Sequence, residues 1–577
     1  MEPDAGQGPR LAAPAVDPGR LLVAALALGI VAAQLAFRAV DDNRLASWDS
    51  VFADADPTRL LGLVAAALGV AYLAARWPFP ARGSAAALLF VVAYAVGAWS
   101  WRAPEAIVDA SRYFTQAKHL ELYGIGWYVS EWGREIGAWT DLPLVPALYG
   151  LVFGAFGESR VHVQAFTTLL FAGSVVLTQR LGTMLWDEDV GFAGAALLLA
   201  IPYLLTQVPS LLVDVPTMFF VTLAVVAVVH AVQRGGAGWS LLASAAILLA
   251  VLSKFSAWLL LSGVPAIAIV QRRAAPGALR TLTRIAIVSG LLLGAALLVH
   301  RDAYARQFAL LLGFQLPGLG RWGETFLSTV LFQVHPFLTA AAVLSAWMAV
   351  RKRDARWIVV AWPVLLLLLL QVRRIRYWIP SLPMLALMAG YGVQAIRADA
   401  VRRCCVTSAV AVSLVVALHG QLPFLEQTSA VNLKEAGAYL DAIDERTVEV
   451  LTPQRTGVLV NPAVAVPILD LFTAKRVVYV YEEPPAAASR SAERSPLRFT
   501  WEYRNPRYYA DGGVAAGAAV VIISDDVEEP LPASVQRRLS GLRLARTFDK
   551  HEGLFAYRTL VRVYRAAPAV SAADPQP

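Results

Sequence analysis

The chain has 577 residues, of which 57% are hydrophobic and only 16% charged. Soluble domains carry about 25% charged residues, so together with a mean hydropathy of +0.55 the composition excludes an ordinary soluble protein and indicates a polytopic membrane protein. The net charge of +8 is not a nucleic-acid signal, because much of it sits in short connections between apolar runs. The only cysteines, Cys404 and Cys405, are adjacent, which excludes a disulfide framework.

Residues 1–20 read as a disordered cytoplasmic tail. The first apolar run, LLVAALALGIVAAQLAF, is followed by no clear A-x-A cleavage site and is expected to be an uncleaved span. Runs that suit membrane helices follow at 21–38, 59–76, 84–100, 162–180, 190–206, 213–231, 240–253, 256–271, 283–300, 326–349, 356–371, 379–396 and 405–420. A span takes roughly 20 apolar residues, which gives about 13 spans within a transmembrane domain at 21–420. Lipid offers no partners to open backbone, so these spans are helices rather than strands.

The connections RWPFPAR, QRLG, VQRGG, QRRAAPGALRTLTR, RKRDARW and RADAVRR are basic, and the positive-inside trend puts them in the cytoplasm. The alternate connections, including the long loop 101–145 and the segment 301–325, then face outward. QVRRIRYWIPSLP breaks the trend, because Arg373, Arg374 and Arg376 fall on the outer side. Arginines there call for an anionic partner, and a lipid-linked phosphate is the natural one; a plain headgroup anchor is the alternative.

In the outer loop, the periodicity of SRYFTQAKHLELYG predicts an amphipathic helix lying on the membrane surface. Asp214 stands at the outer end of a span, where an acid costs about 2.5–3.5 kcal/mol to insert. It is expected to be functional or paired, or else a helix N-cap. Lys254 interrupts an apolar hairpin, either snorkelling or meeting a phosphate. Segment 301–336 adds Arg306, Arg321, Glu324 and His335 to the same face, His335 suiting a polar helix cap. Asp41, Asp42, Asp49, Asp54 and Asp56 form an acidic run that reads as solvated, although it could also supply a base.

Beyond residue 420 hydrophobicity falls. NLKEAGAYLDAIDE reads as a helix with Asn432 as N-cap. TVEVL, RVVYVY and AAVVIIS read as buried strands, and LARTFDKHEGLFAYRTLVRVYR as a closing hairpin. These make a small extracytoplasmic α/β domain over 421–566, roughly 140 residues, of a size that can stand alone. EEPPAAASRSAERSP is a low-complexity loop and 567–577 a disordered tail.

Five stretches stand in a telling order within 84–400: VDASRYFTQAKHLELYGIGWY, WTDLPLVPALYGLVFGAFGES, LLVDVPTMFFVTLA, LSKFSAWLLLSGVP and RRIRYWIPSLPMLALMAGYG. In that order they resemble the GT-C superfamily of integral membrane glycosyltransferases. The resemblance is to the glycosyltransferase family 39-like branch, which holds protein O-mannosyltransferases and lipid A aminoarabinose transferases. The branch's D-E-x-x-Y becomes Asp109 and Tyr113, with Ala110 replacing the second acid; Asp141 and Leu142 stand near its usual Lys-Pro; Arg376 and Tyr377 match its Arg-Tyr pair.

The resemblance implies sugar transfer, with inversion, from a polyprenyl-phosphate donor to an acceptor hydroxyl at the outer face of the cytoplasmic membrane. A departing phosphate needs cations where its charge develops, and a hydroxyl nucleophile needs a carboxylate to take its proton. Asp109 is the implied base, and Tyr113, Asp214, Lys254, His335, Arg374, Arg376 and Tyr377 the implied substrate-binding set. Some GT-C enzymes use a divalent metal, but Ala110 removes the second carboxylate, so neither metal nor other cofactor is expected. The expected partners are the lipid-linked donor, membrane lipids and an acceptor that is protein, lipid or polysaccharide, with no nucleic acid. Two other classes remain at this stage: a transporter or flippase of lipid-linked sugar, with inverted repeats and broken midplane helices, and a non-catalytic scaffold that binds lipid phosphate.

Overall fold

The computed structural model describes residues 17–79, 82–272, 275–453, 460–481, 497–510, 517–525, 530–551 and 558–566. The expected low-complexity loop 482–496, the tail 567–577 and most of the N-terminal tail lie outside them.

Among the described residues seven helices are long and apolar enough to cross a membrane: Pro18–Ala36, Pro57–Ala74, Ser84–Arg102, Arg160–Leu185, Asp214–Arg234, Ala278–Val299 and Asp399–Leu425. The chain is thus a multi-pass α-helical membrane protein. Other expected spans are shorter or interrupted. The run at 190–206 divides into Glu188–Leu198 and Pro202–Gln207. The run at 326–349 begins with the π-helical turn Ser328–Gln333 before Pro336–Lys352. The run at 379–396 opens with a 3-10 turn at Ile379–Ser381 and continues as Leu382–Gly392. Prolines 202, 336 and 380 stand at these restarts, as expected for a residue with no N–H to give the preceding turn.

Asp214–Arg234 is buried along most of its length and packs against Arg160–Leu185 and Ala237–Ser253. This explains why it is apolar on every side. Small residues set the tightest crossing. A Cβ at Gly390 would lie 2.6 Å from the backbone nitrogen of Gly194, so Leu382–Gly392 and Glu188–Leu198 meet backbone to backbone, as small residues allow in lipid.

The amphipathic helix forms at Ile107–Glu131. It buries Ile107, Ala110, Phe114 and Ala117, a three-to-four-residue stripe, and bends at Gly124, whose φ is +81°. Leu122 and Ile125, near that bend, are exposed.

The C-terminal region is a five-stranded mixed sheet of β1 (Thr447–Leu451), β2 (Arg476–Tyr479), β3 (Ala519–Ser524), β4 (Leu542–Phe548) and β5 (Leu560–Ala566). Its order is β2-β1-β3-β5-β4. β1 pairs parallel with β2 and β3, and β5 pairs antiparallel with β3 and β4, the expected closing hairpin. Between β1 and β2 runs the buried segment Pro462–Leu471, which packs on Ile107–Glu131. One apolar core unites Tyr113, Phe114 and Phe153 with Ile468, Leu469, Val521 and Val563. The C-terminal region is therefore built onto the surface helix rather than beside it.

Asn432 corrects the sequence reading. The helix is Val431–Asp441 and Ala430 is its N-cap. The buried Asn432 amide instead donates to the carbonyls of Lys550 and Thr559 at 3.0 and 2.7 Å, and its Oδ1 accepts from the Lys550 N–H at 2.9 Å. An Asn432→Ala variant leaves these groups unmatched and is expected to cost about 1–3 kcal/mol, read as faster hydrogen exchange across β4 and β5.

A second contact ties the sheet to the surface helix. Lys118 Nζ lies 3.1 Å from Glu158 Oε1 and 2.6 Å from Asp470 Oδ2, and Tyr509 donates its hydroxyl to Asp470 at 2.8 Å. Burial, and then the Asp470 charge, push the Glu158 carboxyl up to about 8 despite Lys118. A raised acid stabilises the fold fully below its unfolded pKa and loses that contribution as pH rises through the folded value. Docking of Pro462–Leu471 is accordingly expected to loosen between pH 5 and 8, roughly the interval from a free carboxyl to the shifted one. Exchange rates of that segment across the interval measure it, and a Glu158→Gln variant is expected to flatten the profile.

Candidate functional site

Five chain segments converge on one cluster of charges, one of them the connection before Leu144–Phe156 that carries Asp141. Asp109 lies in the first turn of Ile107–Glu131, and Arg112 follows one turn later. Asp214 is the first residue of Asp214–Arg234. Lys254 occupies the extended break between Ala237–Ser253 and Phe255–Leu260. Arg376 sits in the one-turn helix Ile375–Trp378, just after Gln371 turns the chain with a φ of +54°.

The side chains form a continuous row of alternating charge. Arg112 grips Asp141 as a fork, Nε to Oδ2 and Nη2 to Oδ1, both at 2.8 Å. The same guanidinium stands 3.4 Å from Asp109. Arg376 Nη1 donates to the other Asp109 oxygen, and its Nε donates to Asp214 Oδ2 at 3.1 Å. Lys254 Nζ donates to the remaining Asp214 oxygen. Read along the row, the order is Asp141, Arg112, Asp109, Arg376, Asp214, Lys254. Three carboxylates thus meet three cations.

Exposure separates the acids. The Asp214 side chain is 0% exposed, that of Asp141 3%, and that of Asp109 22%. Asp214 does not cap its helix through its side chain; both its oxygens face cations. Burial alone would push the Asp109 carboxyl up, but the guanidiniums of Arg376 and Arg112 outweigh it and hold the group well below the usual carboxylate range. In this state Asp109 is a weak proton acceptor.

No protein-family model and no curated protein matches the chain. Among solved structures, ArnT from Cupriavidus metallidurans bound to undecaprenyl phosphate superposes with a TM-score of 0.50 at 11% identity, over 84% of this chain and 98% of that one. The chain shares the fold of this ArnT. The apo state of the same ArnT gives 0.49 at 11% identity, over 83% and 97%. Oligosaccharyltransferase AglB from Archaeoglobus fulgidus, in complex with an inhibitory peptide and a dolichol-phosphate, gives 0.42 at 11% identity, over 76% and 69%. At such identities the likeness speaks for the fold, and the chemistry rests on this chain's own residues.

On this framework the remaining candidates divide. The Tyr377 ring lies 5.7 Å from the Lys254 ammonium, and the buried Tyr113 ring lies 5.6 Å from the Arg112 guanidinium, so both border the row. Arg374 turns elsewhere: it is 3.6 Å from Glu324 and lies over the Trp322 ring at 3.8 Å. His335 is buried as the N-cap of Pro336–Lys352, its Nδ1 accepting from the Phe337 N–H at 3.1 Å, with no bond to the row among the described residues. Asp41, from the acidic run, is buried rather than solvated; it accepts from the Trp48 N–H and from Gln333 Nε2, each at 2.8 Å.

Arg112 was not among the sequence candidates, although its three-residue spacing from Asp109 puts both on one helix face. Asp141 stood out only as a departure from the Lys-Pro pattern. Phe499, from the C-terminal region, lies under the Arg112 guanidinium at 4.3 Å, a contact with no local sequence signal.

Proposed function

We propose that this chain is a glycosyltransferase that moves a sugar from a polyprenyl-phosphate carrier to an acceptor hydroxyl at the outer face of the cytoplasmic membrane. The observation that carries the reading is the charged row, which joins Asp109 to Arg376 across 267 residues of chain. A row of cations beside one accessible acid is the set that phosphate departure and hydroxyl attack require. The fold shared with ArnT, which was crystallised with undecaprenyl phosphate, supports the donor class.

In this reading Arg376, Lys254 and Arg112 neutralise the departing phosphate, the arginines offering it paired N–H donors. Asp109 takes the proton of the acceptor hydroxyl. Attack opposite the phosphate inverts the anomeric centre. Asp214 holds Arg376 and Lys254 in place, and Tyr113 and Tyr377 line the charges. Arg374 and His335, engaged with Glu324 and a helix end, stand outside this set. The donor set does not suit a divalent metal, since each carboxylate already faces a cation rather than a second carboxylate; the proposal needs none. The C-terminal region, which reaches the row through Phe499, is assigned to the acceptor side.

Purified protein incubated with radiolabelled polyprenyl-phosphate sugars and candidate acceptors tests the proposal. Label is expected in an acceptor. Binding of the lipid alone, or its movement across a vesicle membrane without transfer, overturns the reading in favour of a scaffold or a flippase.

A further inference from the structure

The row is balanced, and that has a consequence for how a phosphate can enter. Both Arg376 donors that face the row are already committed, Nη1 to Asp109 and Nε to Asp214. Both Asp214 oxygens are engaged, as are both Asp141 oxygens in the Arg112 fork. A lipid-linked phosphate brings further negative charge into a place where three acids already match three cations. To gain guanidinium contacts it must take them from a carboxylate.

The three carboxylates are not equally easy to displace. Asp214 is wholly buried between two cations, and an uncompensated charge there is strongly disfavoured. Asp141 is buried too, held by the Arg112 fork and by Gln116 Nε2 at 3.2 Å. Asp109 is the most accessible of the three, its side chain 22% exposed against 3% for Asp141, and although Arg376 holds one of its oxygens, its link to Arg112 is the longest in the row at 3.4 Å. It also occupies the middle, between the two guanidiniums that a phosphate would span.

Resting on the proposed lipid-phosphate site, we infer that the donor headgroup displaces Asp109 from Arg376 and Arg112, so that the base becomes free only once donor is bound. Before that, both Asp109 oxygens are neutralised and neither water nor acceptor is activated. Afterwards the carboxylate has lost its cations and faces the acceptor as an ordinary base. Donor binds first and acceptor second, and the empty enzyme holds its base locked. The proton travels from acceptor hydroxyl to Asp109 as the new glycosidic bond forms and the sugar–phosphate bond breaks, both electrons of that bond leaving with the phosphate.

The inference predicts an effect opposite to that of an ordinary binding residue. Undecaprenyl phosphate is titrated into the full-length protein in nanodiscs, comparing wild type with Asp109→Asn and Asp109→Ser. Removing the competing carboxylate is expected to tighten binding by at least about tenfold, the order of a charge-assisted hydrogen bond regained. Two substitutions guard against one that fails to fold, with monodisperse elution as the check. Wild-type binding that is matched or weakened in both variants overturns the displacement and leaves the donor site standing. Failure of all three proteins to bind undecaprenyl phosphate removes the donor site and the inference together.

Discussion

An Arg376→Ala variant is expected to lose transfer activity by about 10²–10³-fold and to lose stability by about 3–5 kcal/mol. Both effects come from one guanidinium. In the proposed reaction Arg376 is the cation between the base Asp109 and the buried acid Asp214, placed where phosphate charge would develop. For the fold, its removal leaves Asp214, with 0% of its side chain exposed, facing Lys254 alone. A wholly buried acid that keeps only one of its two cations is costly because water does not solvate the oxygen left without a partner. Thermal denaturation in detergent reads the second effect and the radiolabel assay the first. The two separate in the double variant Arg376→Ala/Asp214→Asn, in which the wholly buried acid is neutral and only the partly exposed Lys254 loses its partner: stability is expected to recover in part and turnover is not. Arg376→Lys keeps the charge but offers one compact ammonium where a planar fork now meets Asp109 and Asp214. It is expected to fall between wild type and alanine in both assays. Full activity in Arg376→Ala would remove the arginine from the phosphate site.

Particular residues show which parts of this architecture the sequence discloses. Membrane helices are legible because lipid enforces apolar length on every crossing, yet prolines interrupt 190–206 and 379–396 and leave shorter helices than hydropathy alone draws. The strands at TVEVL and AAVVIIS are legible as short buried runs rich in β-branched residues. What escapes is whatever depends on partners far along the chain. Arg374 and Arg376 look equivalent in RRIRY, but Arg374 is the extended residue before the turn Ile375–Trp378 and Arg376 lies inside it, so the two point to different sides. One joins Asp109 and Asp214 while the other joins Glu324 and Trp322. Asp41 reads as one of a solvated run until its burial against Trp48 and Gln333 is seen. Asn432 has the right residue type and position for a cap, yet its side chain serves a hairpin more than a hundred residues away. The shared core of the surface helix and the sheet has no local signature at all. Either face alone reads as ordinary amphipathicity.

Replacing Asp109 by asparagine is expected to lower turnover by about 10²–10⁴-fold, the usual worth of a general base, and to lower stability at neutral pH, where the ionised carboxylate now pairs with Arg376 and Arg112. Asparagine keeps the shape, Arg112 still has Asp141, and Arg376 still has Asp214, so no cation is left alone. The depressed Asp109 carboxyl contributes stability that is present above its unfolded value, near 3.8, and is lost as pH falls through its lower folded value. The variant therefore shows less acid sensitivity of folding than the wild type, measurable as thermal midpoints from pH 5 downward. Catalysis behaves differently. In the free enzyme the base stays ionised far into acid, whereas in the donor-bound enzyme, with its guanidiniums engaged by phosphate, it titrates nearer an ordinary carboxyl. The kcat profile at saturating donor should then carry an acid limb at higher pH than the profile of kcat/KM for donor. A general weakening of the site would shift donor affinity and turnover the same way. Displacement drives them apart, because the carboxylate that opposes the phosphate in the resting enzyme is the same one that the acceptor needs.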